Sequence, residues 1–349
     1  MSDKTGIEWT DASWNPVVGC SRVSSGCDHC YAMNQAHRIA HMLPDGPYPG
    51  TTRKGKKGVD WTGVVKCLPE RLDIPIRWKN PRRIFVNSMS DLFHPTVPFE
   101  FIFEVYWVML QASRHTFQIL TKRPERRVEF FKWALENKPS IVCLPNVWEG
   151  TSVEHQEAAD ERIPHLLRCP AAVRWLSMEP LLGPVDLTPF NVRNYRAAYA
   201  KEHHIVTAGM ELRGEWYERT TFIDWVVVGG ESGKKARPMH PAWARSLRDQ
   251  CTHAGVSFFF KQWGKFIHED QIWTDPSRAR SLGEAEYRFW GANKIDAAIQ
   301  KRGGFEAYFN KGSLHQFEDT SFAVPIGKHI AGRHLDGRTW DEYPEVIHA

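Results

Sequence analysis

Short apolar runs alternate with amphipathic segments of helical length through most of the chain, and no other feature narrows the choice of fold as far. Ile84 to Val86 in "RRIFVNSMSDLF" reads as a strand that runs out into polar residues. "FEFIFEVYWVMLQAS" (99–113) is too long and too continuously apolar for a strand, so it reads as a helix. Phe117 to Leu120 leads through a polar turn into the helical "RRVEFFKWALEN", and "VWEGTSVEHQEAADERIPHLLRC" repeats the unit. "VRWLSMEPLLGP" holds a strand that ends at Ser177 and Glu179. "DWVVVGGESGKKARPMHPAWARSLRDQCTHAG" reads as strand, glycine turn and helix, and "VSFFFKQWG" supplies the last strand. One more strand just before Cys20 brings the number to about seven, most of them followed by helix.

Such alternation implies parallel strands with crossover helices, in either a barrel or a doubly wound sheet. The placement of polar residues separates the two. Nearly every strand ends in a small group of them, from Asn87, Ser88 and Asp91 through Thr121, Lys122 and Arg123, Thr151 and Ser152, Ser177 and Glu179, and Gly229 to Glu231, to Lys261 and Gln262. A barrel gathers these C-terminal strand ends at one mouth, whereas an open sheet uses a single switch point. The expectation is therefore an α/β fold, a partial (β/α) barrel of about six to seven parallel strands over residues 1–265. Insertions are expected at 41–66 and 188–222, with a mixed C-terminal extension, 266–349, packed on the barrel. The glycine turn "GGESG" lacks the lysine and spacing of a nucleotide-triphosphate loop.

With 45 basic and 41 acidic residues the net charge is +4, too mild for bulk electrostatics to announce a nucleic-acid binder. Three basic clusters stand out, "RKGKKG" (53–58), "NPRR" (80–83) and "TKRPERR" (121–127). Each is either a solvated face or part of a phosphate-binding groove assembled from separated segments. The 15 tryptophans suit base stacking or core packing equally well. No apolar run approaches the roughly 20 residues that span a bilayer, so no membrane association is expected. The opening "MSDKTGIEWTD" lacks the charged-then-apolar pattern of an export signal, and the seven cysteines are odd in number, so a reduced, cytoplasmic setting is expected.

Three of those cysteines, Cys20, Cys27 and Cys30, fall within eleven residues of "WNPVVGCSRVSSGCDHCYA" (14–32). Cys27 and Cys30, two residues apart, can reach one metal centre together, and the polar, glycine-ended "SRVSSG" lets Cys20 fold back to join them. A structural zinc site needs a fourth ligand, from His29 or the distant Cys67. A thioredoxin-like dithiol leaves Cys20 idle. An iron–sulfur cluster held by three thiolates uses them all and leaves one iron open to a ligand. The plainest reading, three buried thiols acting as small hydrophobes, sits badly on so polar a loop. Cys67, Cys143, Cys169 and Cys251 are scattered and read as packed or incidental thiols.

A three-cysteine loop after the first strand of a partial α/β barrel resembles the radical S-adenosylmethionine superfamily. The wider string "WNPVVGCSRVSSGCDHCYA", "SMSDLFH", "LTKRPER", "SMEPLLGP", "VVGGESG", "FFFKQWG" and "GRHLDGRTWDEYP" resembles a mostly uncharacterised phage- and bacteria-associated family grouped with those enzymes. The resemblance spans residues 7 to 344 or so. It implies a [4Fe-4S] cluster on Cys20, Cys27 and Cys30, with S-adenosyl-L-methionine chelated at the open iron. It also implies an electron donor of the flavodoxin or ferredoxin type, whose electron cleaves the cofactor to methionine and a 5′-deoxyadenosyl radical. The first gap between cysteines departs from the superfamily's usual three residues, since "SRVSSG" is six.

The resemblance further implies cofactor contacts from His29 beside the adenine and from Asn87, Ser88 and Asp91 at the amino group. Lys122 or Ser152 would pair with the carboxylate, and Glu179 would contact the ribose or ammonium. Glu231, Arg237, Lys261 and Gln262, on later strands, would touch substrate. Each of these also reads as an ordinary strand-end cap or salt-bridge partner. The expected function is a radical S-adenosylmethionine enzyme, with nucleic acid among its expected substrates through base repair or modification. The alternative is a non-catalytic zinc- or iron–sulfur-bearing nucleic-acid-binding protein.

Overall fold

The computed structural model describes residues 5–56, 58–190, 222–268, 271, 315–325 and 327–344. Most of the expected insertion at 188–222, and the extension between 272 and 314, lie outside the described residues.

Seven strands form one wholly parallel sheet in chain order. They are β1 (Ala12–Trp14), β2 (Arg83–Val86), β3 (Thr116–Thr121), β4 (Val147–Ser152), β5 (Val173–Met178), β6 (Trp225–Gly229) and β7 (Ser257–Gln262). Helix α1 (Tyr31–Met42) follows β1, α2 (Phe99–Gln111) follows β2, α3 (Pro124–Asn137) follows β3, α4 (Gln156–Leu167) follows β4 and α5 (Pro241–Ala254) follows β6. Because every strand pairs with its predecessor, the order never reverses and there is no switch point. Crossovers of one hand then put the helices on one face, which is the partial (β/α) barrel expected from the sequence.

The curl of the sheet is visible in a single side chain. Trp9, just ahead of β1, lies 4.8 Å from Phe85 of β2, 5.1 Å from Trp175 of β5 and 6.2 Å from Trp225 of β6, centroid to centroid. In a flat sheet β2 and β5 would stand about 14 Å apart, so one indole reaches both only if the sheet wraps around it. Period-two alternation supplies the two faces. Ile84, Val86, Phe117 and Ile119 pack under α2 and α3, and Leu176, Val226, Val228 and Phe258 under α4 and α5. The intervening Phe85, Trp148, Trp175, Trp225 and Phe259 fill the concave side with Trp9. Gly150 on β4 has no side chain because a Cβ there would lie 2.3 Å from the Trp175 ring. The tryptophans Trp9, Trp14, Trp148, Trp175, Trp225 and Trp263 are thus buried core residues.

The first barrel strand starts earlier than its expected place beside Cys20. Pro16 separates it from Val17–Val18, which pairs antiparallel with Lys66–Cys67 instead. Within the 41–66 insertion, α1 runs on to Met42 and a hairpin follows, Thr52–Gly55 against Gly58–Trp61. Beyond β7 a small antiparallel sheet holds β8 (Phe266–His268), β9 (His315–Gln316) and β10 (Phe322–Pro325) in the order β8, β10, β9. Residues 332–343 then run down the open side of β7. Trp263 N–H donates to Gly332 O at 3.2 Å, Phe260 N–H to Trp340 O at 2.9 Å, and Glu342 N–H to Phe258 O at 3.3 Å. At the foot of the sheet the Arg83 guanidinium of β2 sits 4.5 Å from the Tyr343 ring centre. No helix among the described residues is long and apolar enough to cross a membrane.

Trp9→Ala removes the ring that these strands share and leaves a cavity behind it. The expected loss is about 3–5 kcal/mol, measured by urea denaturation; a loss under about 1 kcal/mol would remove Trp9 from this role.

Candidate functional site

Along each ascending strand the concave face changes from aromatic to polar. Phe85 is followed two residues on by Asn87, Trp175 by Ser177 and then Glu179, and Phe259 by Lys261, so the filled core below opens into a cavity of about 260 Å³ above. Every site residue expected from the sequence lines this cavity except Arg237. Cys20, Cys27 and Cys30 line it as free, half-buried thiols.

The cysteine loop crosses the mouth and is bound to one strand end after another. Arg123, just past β3, donates through Nη2 to Ser21 O at 3.0 Å and Ser21 Oγ at 2.9 Å, and Ser21 Oγ also meets His94 Nε2 at 2.9 Å. Ser24 Oγ donates to Glu154 Oε1, beyond β4, at 3.0 Å. Arg237, beyond β6, donates to Ser25 O at 2.9 Å. His29 Nδ1 lies 3.1 Å from Glu231 Oε2, and the same oxygen accepts from Arg237 N at 2.7 Å and Nε at 2.9 Å. Within the loop a single 3₁₀ turn, Ser25–Cys27, brings Cys27 Sγ to 3.5 Å from the Val23 amide. The six-residue "SRVSSG" spends its extra length crossing from β1 towards β6. Gly26 permits the crossing, since a Cβ there would stand 2.3 Å from Glu154 Oε1.

Electrostatics at the thiols pull in two directions. Burial pushes the Cys20 pKa up to about 12, helped by Asp91 and the other two cysteines and opposed by Arg123. Burial also raises Cys30, while the amides of Ala32 and Met33 in the first turn of α1, and the charge of Lys122, favour its thiolate. Burial thus favours the protonated Cys20 and Cys30; a bound cation would displace those protons, and a helix N-terminus with Lys122 and Arg123 would support the anionic sulfurs.

Glu154 anchors the arrangement. It is fully buried, accepts from Lys122 Nζ and Ser24 Oγ on one oxygen and from Arg162 Nη1 at 2.9 Å on the other. Burial alone would raise its pKa, but the charges of Lys122 and Arg162 and hydrogen bonds from Lys122 and Ser24 outweigh that and hold it near about 2. Glu231 is likewise kept below the usual carboxylate range, where hydrogen bonding to Arg237 and His29 overcomes the effect of burial.

Several expected ligand residues are committed to the protein itself. Asp91 accepts from Phe93 N, Thr121 Oγ1, Lys122 N and Arg123 Nη1 at 2.7–3.1 Å, which uses the roughly four acceptor sites of a carboxylate. Lys122 is committed to Glu154, and Glu231 with Arg237 to the cysteine loop. Glu179 pairs with Lys261 and accepts from Trp9 Nε1 at 3.1 Å. Ser88 Oγ donates to Asn15 Oδ1 at 3.2 Å, and Ser152 sits beside Ser177 in register. Asn87 and Gln262 differ, because both are buried in the cavity wall with one unpartnered atom, Nδ2 of Asn87 and Oε1 of Gln262. Asn87 also holds φ at +60°, a conformation uncommon outside glycine.

Sequence reasoning missed Glu154, Ser21 and Trp9. Glu154 lies two residues past Ser152 and was detectable as an acid on the polar end of a buried strand. Arg123 is expected at a strand end, but "TKRPERR" names no partner for it; Arg123 and Arg127 are buried on Asp91 and Glu149.

Among the described residues no group of three or more His, Cys, Asp or Glu side chains is arranged to hold a single metal ion. A single tetrahedral zinc draws its sulfurs to about 3.8 Å of one another, given Zn–S bonds of about 2.3 Å. A cluster instead gives each thiolate its own iron; the three thiols line one cavity.

Fold and site together define a parallel half-barrel protein with a thiol-lined cavity at its C-terminal face. The chain belongs to the family described as "Protein of unknown function (DUF5131)", whose family model matches residues 4–344. No curated protein and no solved structure matches it.

Glu154→Gln leaves Arg162 and Lys122 without their counter-charge and should cost about 3–5 kcal/mol. Because the folded pKa of Glu154, about 2, lies below its ordinary 4.5, its stabilisation is present above pH 4.5 and is lost as pH falls from there towards 2. Denaturation followed against pH should show that share of the acid limb in wild type and not in Glu154→Gln; matching acid limbs would contradict the assignment.

Proposed function

We propose that the chain is a radical S-adenosylmethionine enzyme, with Cys20, Cys27 and Cys30 as the thiolate ligands of a [4Fe-4S] cluster. The observation that carries the reading is the placement of all three thiols, on a loop bound to successive strand ends, around one cavity at the C-terminal mouth of a parallel half-barrel. When bound, such a cluster supplies one electron to S-adenosyl-L-methionine and so yields methionine and a 5′-deoxyadenosyl radical, which takes a hydrogen atom from substrate.

The chain's own residues orient and enclose. Glu154, Glu231, Arg237 and Arg123 hold the loop so that the thiols stay turned to the cavity. Asn87 Nδ2 and Gln262 Oε1 are a free donor and a free acceptor for the polar end of the cofactor or for substrate. Glu179 and Lys261 form a charged pair on the cavity wall that a zwitterionic ligand can open and replace. His29, held by Glu231, is placed to pack against a flat ring. The aromatic floor below them excludes water from the lower half of the barrel. An electron donor of the flavodoxin or ferredoxin type, in a cytoplasmic setting that keeps thiols reduced, completes the reading.

Purified without oxygen, wild type should carry about four iron and four sulfide per chain and, with dithionite and S-adenosyl-L-methionine, should form 5′-deoxyadenosine. Cys27→Ala should lose both properties. Stoichiometric zinc in place of iron, or no 5′-deoxyadenosine from wild type with its cluster intact, would overturn the proposal.

A further inference from the structure

Two of the three basic clusters are absorbed by the fold. Arg123 and Arg127 are buried on carboxylates, and Arg83 lies at the foot of the sheet against Asp11 and Tyr343, away from the cavity. The third, "RKGKKG", is the hairpin Thr52–Gly55 and Gly58–Trp61, where Arg53, Lys54 and Lys56 are exposed and make no ion pair among the described residues. Residues 53–66 hold five of the 45 basic residues and one of the 41 acidic ones. This segment alone therefore carries a charge equal to the chain's net +4, and the remainder is balanced at forty of each sign.

The hairpin is joined to the site at both levels. Its one acid, Asp60, accepts from Arg22 Nε of the cysteine loop at 2.8 Å, and its last residue, Trp61, lines the cavity. From Trp61 to the tip is about 10 Å of strand, so the charge acts within about a Debye length of the mouth. At the rim stands Tyr31, 57% exposed, its hydroxyl fixed by donation to Ser88 O at 2.8 Å.

We propose that this hairpin binds the phosphate backbone of a single-stranded nucleic acid, one of whose bases enters the cavity past Tyr31. A concentrated positive charge on an otherwise neutral protein selects a polyanion, and an exposed aromatic ring at the rim offers a surface on which a base stacks. A base inside a duplex cannot reach a recessed cavity without leaving its stack. A folded acidic protein would satisfy the charge but is too broad to present a reacting atom to a cavity of about 260 Å³. The inference rests on the proposed function only in treating the bound strand as substrate.

The test is fluorescence anisotropy of a labelled, mixed-sequence DNA single strand of about 16 nucleotides, titrated with the full chain at roughly 50 and 200 mM salt. Neutralising about three phosphates gives a log–log salt slope near −2, so wild type should bind about 20-fold more weakly at the higher salt. The triple variant Arg53→Gln, Lys54→Gln, Lys56→Gln should bind about tenfold or more weakly at low salt and lose most of the slope. Its dithionite-driven 5′-deoxyadenosine formation should match wild type. Absence of binding by wild type, or equal binding by the variant, would overturn the proposal. So would a variant that keeps its DNA affinity but is no longer reduced by flavodoxin, since the hairpin would then serve an acidic protein. If wild type binds with the expected slope but forms no 5′-deoxyadenosine, the radical reading falls and the nucleic-acid assignment stands.

Discussion

A parallel sheet that curls must fill its concave side, and in this chain the filling comes from outside the sheet. Trp9 precedes β1, yet its ring touches side chains from β2, β5 and β6, and its Nε1 donates to Glu179 at the top of β5. The indole thereby holds both the radius of the barrel and the level at which its core stops. Up to Trp175 the concave face is aromatic; from Ser177 upward it is polar and open.

The loop that crosses this opening is held by charge rather than by packing. Ser24 and the backbone of Ser25 and Gly26 offer little apolar surface, and their partners are buried carboxylates and guanidiniums that are themselves compensated from behind. Arg162 stands behind Glu154, and Asp91 behind Arg123. Buried pairs of this kind contribute little net stability, because desolvation offsets most of the attraction. Their contribution is positional, since each partner has few directions in which it can be satisfied.

Much of the frame was legible in the sequence because strand periodicity is local. Once "VRWLSMEP" is taken as a strand, Trp175, Ser177 and Glu179 must share a face, and the same logic places Phe259 beneath Lys261. What lay beyond reach was any pairing between distant segments. Nothing near Glu231 and Arg237 in sequence names the cysteine loop, about 200 residues earlier, to which both are bonded. The burial of Arg123 and Arg127 in "TKRPERR" depends on Asp91 and Glu149, which the local run does not contain. Val17–Val18 has strand character and does pair, but with Lys66–Cys67, so the first barrel strand was placed too late.

The segment 332–343 along β7 carries a consequence for how the molecule is made. It covers the last unpaired strand and, through Tyr343, reaches back to Arg83 at the start of β2. A parallel edge left open is a template for pairing with another chain, and contacts so far apart in sequence form late. While it is being synthesised, the polypeptide therefore has a nearly finished barrel whose β7 edge stays uncovered until residue 343 is free of the ribosome. During that interval the exposed edge can pair with a wrong neighbour, and the closing segment ends the exposure.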